Sequence, residues 1–183
     1  MPFMESFFNE LSTELKLGTT KRGHPFRYFS LATNGLNEHL GIRTVVLRKV
    51  TPELRCTFYS DKRSKKMEEL VSDPAVSALF YHPKKLWQII IKGKAKIEND
   101  TEVLKTFWNG IPIKARKDYT TQLPPGTPMV KETDIEYLND GDYFTMVHII
   151  PEQIEFLKLE RPSHSRVLFS KRKGDWVGTQ LVP

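Results

Sequence analysis

Arg63, Lys65 and Lys66 crowd a single turn, at the point where a run rich in β-branched and aromatic residues gives way to a helical pattern. Met67, Leu70 and Val71 repeat at helical spacing behind them and Asp73-Pro74 stops the repeat, so a helix is expected to begin near Ser64. Three cations in a first turn oppose the helix dipole, which favours negative groups at that end. A phosphate would correct the balance, because free backbone N–H groups and ammonium groups converge on one point. The chemistry indicated is anion binding; a solvated basic turn is the competing reading. His24, His39, His82 and His148 are scattered without metal-ligand spacing, so no zinc or iron site is expected.

The elements that must position these cations follow from periodicity. Ile42 to Val50 and Cys56 to Ser60 read as strands joined by a turn at Thr51-Pro52-Glu53, a hairpin that runs into the Lys65 helix. Arg43 and Arg48 are an odd number of residues apart. In a regular strand they face opposite sides, and they reach one ligand only if the strand bends or two subunits share the site. Upstream, Phe7, Phe8, Leu11 and Leu15 give an amphipathic helix ending near Gly18, Arg27 to Thr33 a strand, and Asn34 to Gly41 a polar connection.

Downstream, Ala75 to Tyr81 and Leu86 to Ile97 form a second hairpin. In its second strand Trp87, Ile89, Ile91, Ala95 and Ile97 face one way, and Gln88, Ile90, Lys92, Lys94 and Lys96 the other, the lysines forming a solvated face. A capped helix runs from Asp100-Thr101 through Trp108. Asn109 to Asp142, with Leu123-Pro-Pro-Gly-Thr-Pro128 and an acidic stretch from Glu132, is irregular. Four closing strands, Tyr143 to Ile150, Gln153 to Leu159, Ser165 to Ser170 and Trp176 to Val182, are separated by turns at Pro151-Glu152, Glu160 to His164 and Lys171 to Asp175. Short, closely spaced strands argue for a mainly β fold, an antiparallel barrel with flanking helices, and residues 1–183 suit one domain.

Composition narrows the function classes. Cys56 is the single cysteine, inside an apolar strand pattern, which makes it a buried structural thiol and favours a reducing, cytoplasmic location. No apolar run approaches bilayer length, so no membrane partner is expected. The net charge of +6 suits a phosphorylated ligand as well as nucleic acid, but no RNP-type aromatic pattern accompanies the lysines, and nucleic acid is set aside.

Four blocks in order carry a resemblance: Arg43-Thr-Val-Val-Leu-Arg48, Phe58-Tyr59-Ser60-Asp61, Arg63-Ser64-Lys65-Lys66, and Gln88 within Trp-Gln-Ile-Ile-Ile-Lys-Gly. Together with the end of the chain from Pro151-Glu-Gln-Ile-Glu-Phe156, they resemble the pyridoxamine 5'-phosphate oxidase family of FMN-binding split barrels. The resemblance implies a split β-barrel, FMN as cofactor, a small-molecule substrate and a homodimer with two flavin sites at its interface. It places Lys65 and Lys66 on the phosphate, with Ser64 beside them, and Arg43 along the phosphate or ring. It places Tyr59 and Ser60 on the ribityl-phosphate region, Gln88 and Arg166 on the ring, and Thr44, Val45, Val46, Leu47 and Arg48 along the cofactor strand.

The sequence departs from the oxidase at its substrate-binding positions. Leu157 stands where the family has tryptophan, and Pro162 where it has the arginine of an Arg-x-His motif. Phe107 and Ile111 stand near its tyrosine-and-arginine grip on substrate phosphate. His164 remains and is the candidate proton-handling group, with polar turn surface as its alternative. The implied function is an FMN-dependent oxidoreductase acting on a different substrate; a non-catalytic flavin, haem or deazaflavin binder is the alternative.

Overall fold

The computed structural model describes residues 2–36, 39–131 and 135–183. Part of the polar connection after Asn34 and the start of the acidic stretch, residues 132–134, lie outside the described residues. Helix α1 (Pro2–Thr20) leads through a 3₁₀ turn at Pro25–Arg27 to strands β1 (Tyr28–Thr33), β2 (Gly41–Val46), β3 (Lys49–Val50) and β4 (Cys56–Asp61), then α2 (Lys65–Ser72). There follow β5 (Ala75–His82), β6 (Trp87–Ile97), α3 (Thr101–Asn109), the short α4 (Ile113–Arg116), β7 (Phe144–Lys158), β8 (Ser165–Arg172) and β9 (Asp175–Leu181).

The strands form one nine-stranded antiparallel sheet in the order β2-β1-β5-β6-β7-β4-β3, with β8 and β9 added beside β7. The sheet is rolled but not closed. Its two ends approach because β2 and β3 are halves of one bent run: the Leu47 N–H donates to the Arg27 carbonyl and the Arg48 N–H to the Thr57 carbonyl, both at 2.8 Å. The expected hairpin of Ile42–Val50 on Cys56–Ser60 is therefore correct only at its tip. Lys49 and Val50 pair with Thr57 and Cys56, whereas β2 pairs with β1 along its whole length. β-branched residues specify an extended chain; the partner of each half is chosen by which neighbours bury Val45 and Leu47.

Alternation decides what faces the core. The laterally paired row Ile89–Phe156–Val167 is completely buried, with Phe29, Leu31, Phe58 and Phe80 in the same core. Phe7, Leu11 and Leu15, one turn apart on α1, cover this core, and the Phe7 ring packs 5.3 Å from that of Phe156. Cys56 is fully buried and free, and burial pushes its thiol up to about 12.

Pro151-Glu152 is not a turn. β7 runs unbroken for 15 residues through it, because Pro151 lies opposite Gly93 where the β6–β7 register shifts. The missing proline N–H costs no ladder bond at such an irregularity, and a Cβ on Gly93 would come within 2.0 Å of the Ile150 carbonyl oxygen. Within the irregular third, α4 and a 3₁₀ turn at Lys117–Tyr119 are more ordered than the sequence suggests.

Candidate functional site: an anion-binding turn and an arginine cavity

The end of β4 and the start of α2 build the first half of the site. Buried Asp61 takes Arg63: its carboxylate accepts from the Arg63 backbone N–H at 2.8 Å and from the guanidinium at 3.1 and 2.7 Å. The remaining Arg63 donors go to the Thr121 and Gln122 carbonyls, and the guanidinium lies 3.2 Å from the Tyr143 ring centroid. Arg63 is thus an internal brace, and the expected trio of cations at the helix start is reduced by one.

Lys66 turns inward. Its Nζ donates to Ser64 Oγ at 2.9 Å and Ser60 Oγ at 3.1 Å, and both serines are buried. Ser64 is the N-cap residue of α2, yet its hydroxyl donates to the Asp61 carbonyl at 2.8 Å and makes no capping bond to the helix amides. Burial, and next the charge of Arg43, hold the Lys66 ammonium below the ordinary lysine range, against the pull of Asp61 and Glu69. Arg43 itself pairs with buried Glu69 of α2 at 2.5 Å and donates to the Gly41 carbonyl at 3.1 Å. Its carboxylate partner therefore comes from the helix. Lys65 points outward and is exposed. Val45 and Leu47 are in the core, so only their main chain could meet a ligand, while Thr44 is exposed and Val46 half-buried.

The second group lies elsewhere. Gln88, Leu157 and Arg166 are lateral neighbours across β6, β7 and β8, on the face opposite the buried Ile89 row. Arg166 is bonded to Glu155 at 3.0 and 2.8 Å. Ser60 pairs with Thr145 near the start of β7, and Gln88 with Leu157 near its end. One chain does not bring Gln88 and Arg166 to Lys66. His164, Arg161 and Pro162 are all exposed in the turn before β8.

Arg48 stands apart from Arg43, as the strand bend allows. It lines a cavity of about 430 Å³ with Arg27, Tyr59, Phe107, Ile111 and Tyr119. Its guanidinium carbon is 5.0 Å from the Tyr59 ring centroid, and its buried Nε has no hydrogen-bond partner among the described residues. Burial raises the Tyr59 and Tyr119 phenols, and the nearby Arg48 charge partly offsets this. Ser60 and Tyr59 are adjacent in β4 and therefore face opposite ways, which puts the lysine cluster and the arginine cavity on the two sides of one strand. The sequence marked Phe107 and Ile111 but missed Arg27 and Tyr119, which carry no local motif.

Glu14, His24 and His82, distant in sequence, come together with their potential ligand atoms within 4.8 Å. The expectation of scattered histidines is corrected for two of them, but the donor geometry is wrong for a metal. His24 Nδ1 accepts the Phe26 N–H and His82 Nδ1 the Lys85 N–H, each at 3.2 Å, so a neutral ring carries its proton on Nε2 and has no lone pair there. Glu14 instead takes His24 Nε2 at 3.1 Å and Lys85 Nζ at 2.5 Å, which makes the group a clasp between α1 and the β5–β6 turn.

The family model for the pyridoxamine 5'-phosphate oxidase, FMN-binding domain matches residues 4–99. The chain belongs to this family. The matched domain is the FMN-binding one, and FMN is the cofactor. A pyridoxine/pyridoxamine 5'-phosphate oxidase of Aliarcobacter butzleri is 30% identical over 98% of this chain and 87% of its own length. Among solved structures, a pyridoxamine 5'-phosphate oxidase-related, FMN-binding protein from Nostoc punctiforme aligns with TM-score 0.79 at 21% identity, covering 96% of each chain. PhzG from Burkholderia lata, in complex with tetrahydrophenazine-1-carboxylic acid, aligns with TM-score 0.74 at 18% identity over 100% of this chain and 91% of its own. These likenesses fix the split-barrel fold.

The lysine cluster suits the phosphate of such a cofactor. A half-buried ammonium held, among the described residues, by two serine hydroxyls and beside a guanidinium is a donor set suited to an anion. Of the family's positions on this turn, Ser60, Ser64 and Lys66 converge, with Arg43 next to them, and Lys65 does not.

Proposed function

We propose that this chain is an FMN-dependent oxidoreductase whose substrate is not pyridoxamine 5'-phosphate. The observation that carries it is the Lys66 ammonium, half-buried on Ser60 and Ser64 and close to Arg43, with no carboxylate bonded to it among the described residues. In this reading those residues hold the FMN phosphate, the main chain of residues 44–47 lies along the cofactor, and the Arg48 cavity receives the substrate. Held there, FMN would supply hydride acceptance from a reduced donor and electron transfer to an acceptor. The protein's part is to bind and orient, with Tyr59, Phe107 and Tyr119 lining the Arg48 cavity. His164 would carry a proton only if a partner subunit covered its turn.

Gln88 and Arg166 reach a flavin in this reading through a second copy of the chain. The outer sheet face that bears Gln88 also exposes Tyr28, Ile42, Leu79 and Tyr81, an apolar surface suited to a two-fold interface. A homodimer of single-domain chains, working in the cytoplasm, is the assembly we infer.

The oxidase relatives favour pyridoxamine 5'-phosphate as substrate, but Phe107 and Ile111 place apolar walls in the Arg48 cavity where the family's grip on phosphate is expected. A visible spectrum of the purified protein, followed by anaerobic flavin reduction with amines and NAD(P)H, tests the proposal. Bound FMN that no donor reduces would make the chain a flavin carrier instead, and efficient turnover of pyridoxamine 5'-phosphate would overturn the substrate reading.

A further inference from the structure

The Arg48 cavity has a chemistry more specific than that of a general substrate space. Two guanidinium groups and no carboxylate are among its lining residues, so it selects an anion. The two are not equivalent. Arg27 donates to the Thr19 carbonyl at 3.1 Å and is held by α1, whereas Arg48 stands over the Tyr59 ring with a buried Nε that has no hydrogen-bond partner among the described residues. A buried guanidinium nitrogen without an acceptor is costly, and a ligand acceptor that draws the guanidinium round to itself relieves that cost.

The donors near Arg48 number few. Arg48 and Tyr119 line the cavity together, and a neutral Tyr119 phenol carries a hydrogen to donate. The Thr106 hydroxyl is spent on the Glu102 carbonyl at 2.8 Å. Opposite them, Phe107 and Ile111 offer only carbon, and the Tyr59 and Phe107 rings meet nearly edge to face, at 72°, to form two walls of a slot.

We propose that this cavity takes a planar organic monocarboxylate, its two oxygens on Arg48 and Tyr119 and its body between Tyr59, Phe107 and Ile111. The inference rests on the reading of the cavity as the substrate space of an FMN enzyme. A carboxylate matches the two-point donor set of Arg48 and Tyr119. A phosphate monoester brings nearly two charges and a third oxygen, which would be desolvated against Phe107 and Ile111. The volume, about 430 Å³, is in the range of small-molecule sites.

Calorimetric titration of the FMN-loaded protein with 2-naphthoate, 2-naphthamide and pyridoxamine 5'-phosphate tests this. 2-Naphthoate should bind at least tenfold more tightly than either of the others. Arg48→Met should weaken it at least tenfold and Tyr119→Phe severalfold; the ligand comparison on unaltered protein needs no variant to fold. Equal affinity for the amide, tighter binding of the phosphate ester, no naphthoate binding, or an unaltered affinity in Arg48→Met would each overturn the proposal. Flavin reduction is read separately on the same samples. Arg48-dependent naphthoate binding in a protein whose flavin no donor reduces removes the oxidoreductase reading and keeps the carboxylate site. Reduction by an uncharged donor in a cavity blind to naphthoate does the reverse.

Discussion

Lys65 and Lys66 are adjacent in sequence, and replacing each in turn separates a phosphate ligand from a solvated neighbour. Lys66 Nζ sits on Ser60 and Ser64 within 3.1 Å, half-buried, and its pKa is depressed first by burial and then by Arg43. A charge-assisted hydrogen bond from such a group to a phosphate contributes roughly 1.5 to 3 kcal/mol. Lys66→Ala should therefore weaken FMN binding by about one to two orders of magnitude. Lys65 is exposed, and an exposed charge contributes about 0 to 1 kcal/mol, so Lys65→Ala should change affinity by less than about fivefold. The flavin-free protein should respond in the opposite sense. Removing an ammonium that is partly desolvated and repelled by Arg43 should leave its melting temperature unchanged or raise it. Fluorescence quenching on titration with FMN, paired with thermal melts of the flavin-free variants, measures both quantities. Equal losses of affinity in the two variants would refute the inward placement of Lys66. Wild-type affinity in Lys66→Ala would refute the phosphate assignment altogether.

Arg63→Ala should destabilise the fold by about 3 kcal/mol, because buried Asp61 is left charged without its partner, and a urea denaturation midpoint checks it. Stability should fall as pH drops below about 6.5. Burial holds His82 and His148 below the ordinary histidine value in the folded chain, so the unfolded chain binds protons first; melting temperatures from pH 7.5 to 5.5 that rise or stay flat would contradict this. Light scattering of the FMN-loaded protein at micromolar concentration should give twice the 21.3 kDa chain mass, and a monomer that keeps its flavin would remove Gln88 and Arg166 from the site. Gly93→Val should unfold or severely destabilise the protein, read by circular dichroism, since its Cβ would lie 2.0 Å from the Ile150 carbonyl oxygen.

Periodicity alone determined much of this protein. The two faces of β6, the α1 stripe of Phe7, Leu11 and Leu15, the start of α2 at Ser64 and the burial of Cys56 all follow from spacing, because a side chain's direction repeats every two residues in a strand and every 3.6 in a helix. The family was legible as well, since its four blocks are local runs of chain. What spacing could not carry is which partner each polar group takes. Arg63 had the same sequence claim on a phosphate as Lys66 until the fold set Asp61 and the Thr121 and Gln122 carbonyls around it. The bend at Leu47–Arg48 and the partners of its two halves put Arg48 in its own cavity and Arg43 on Glu69, a division of partners that spacing did not reveal. Pro151 read as a turn because its local chemistry is that of a breaker; only the register shift opposite Gly93, two strands meeting from distant parts of the chain, made it a tolerable strand residue. The Arg27 and Tyr119 sides of the Arg48 cavity and the Glu14–His24–His82 clasp had no signature at all. Each joins residues far apart in sequence, and the pairings that bring them together are fixed by the burial of the strands and helices between them, not by the residues themselves.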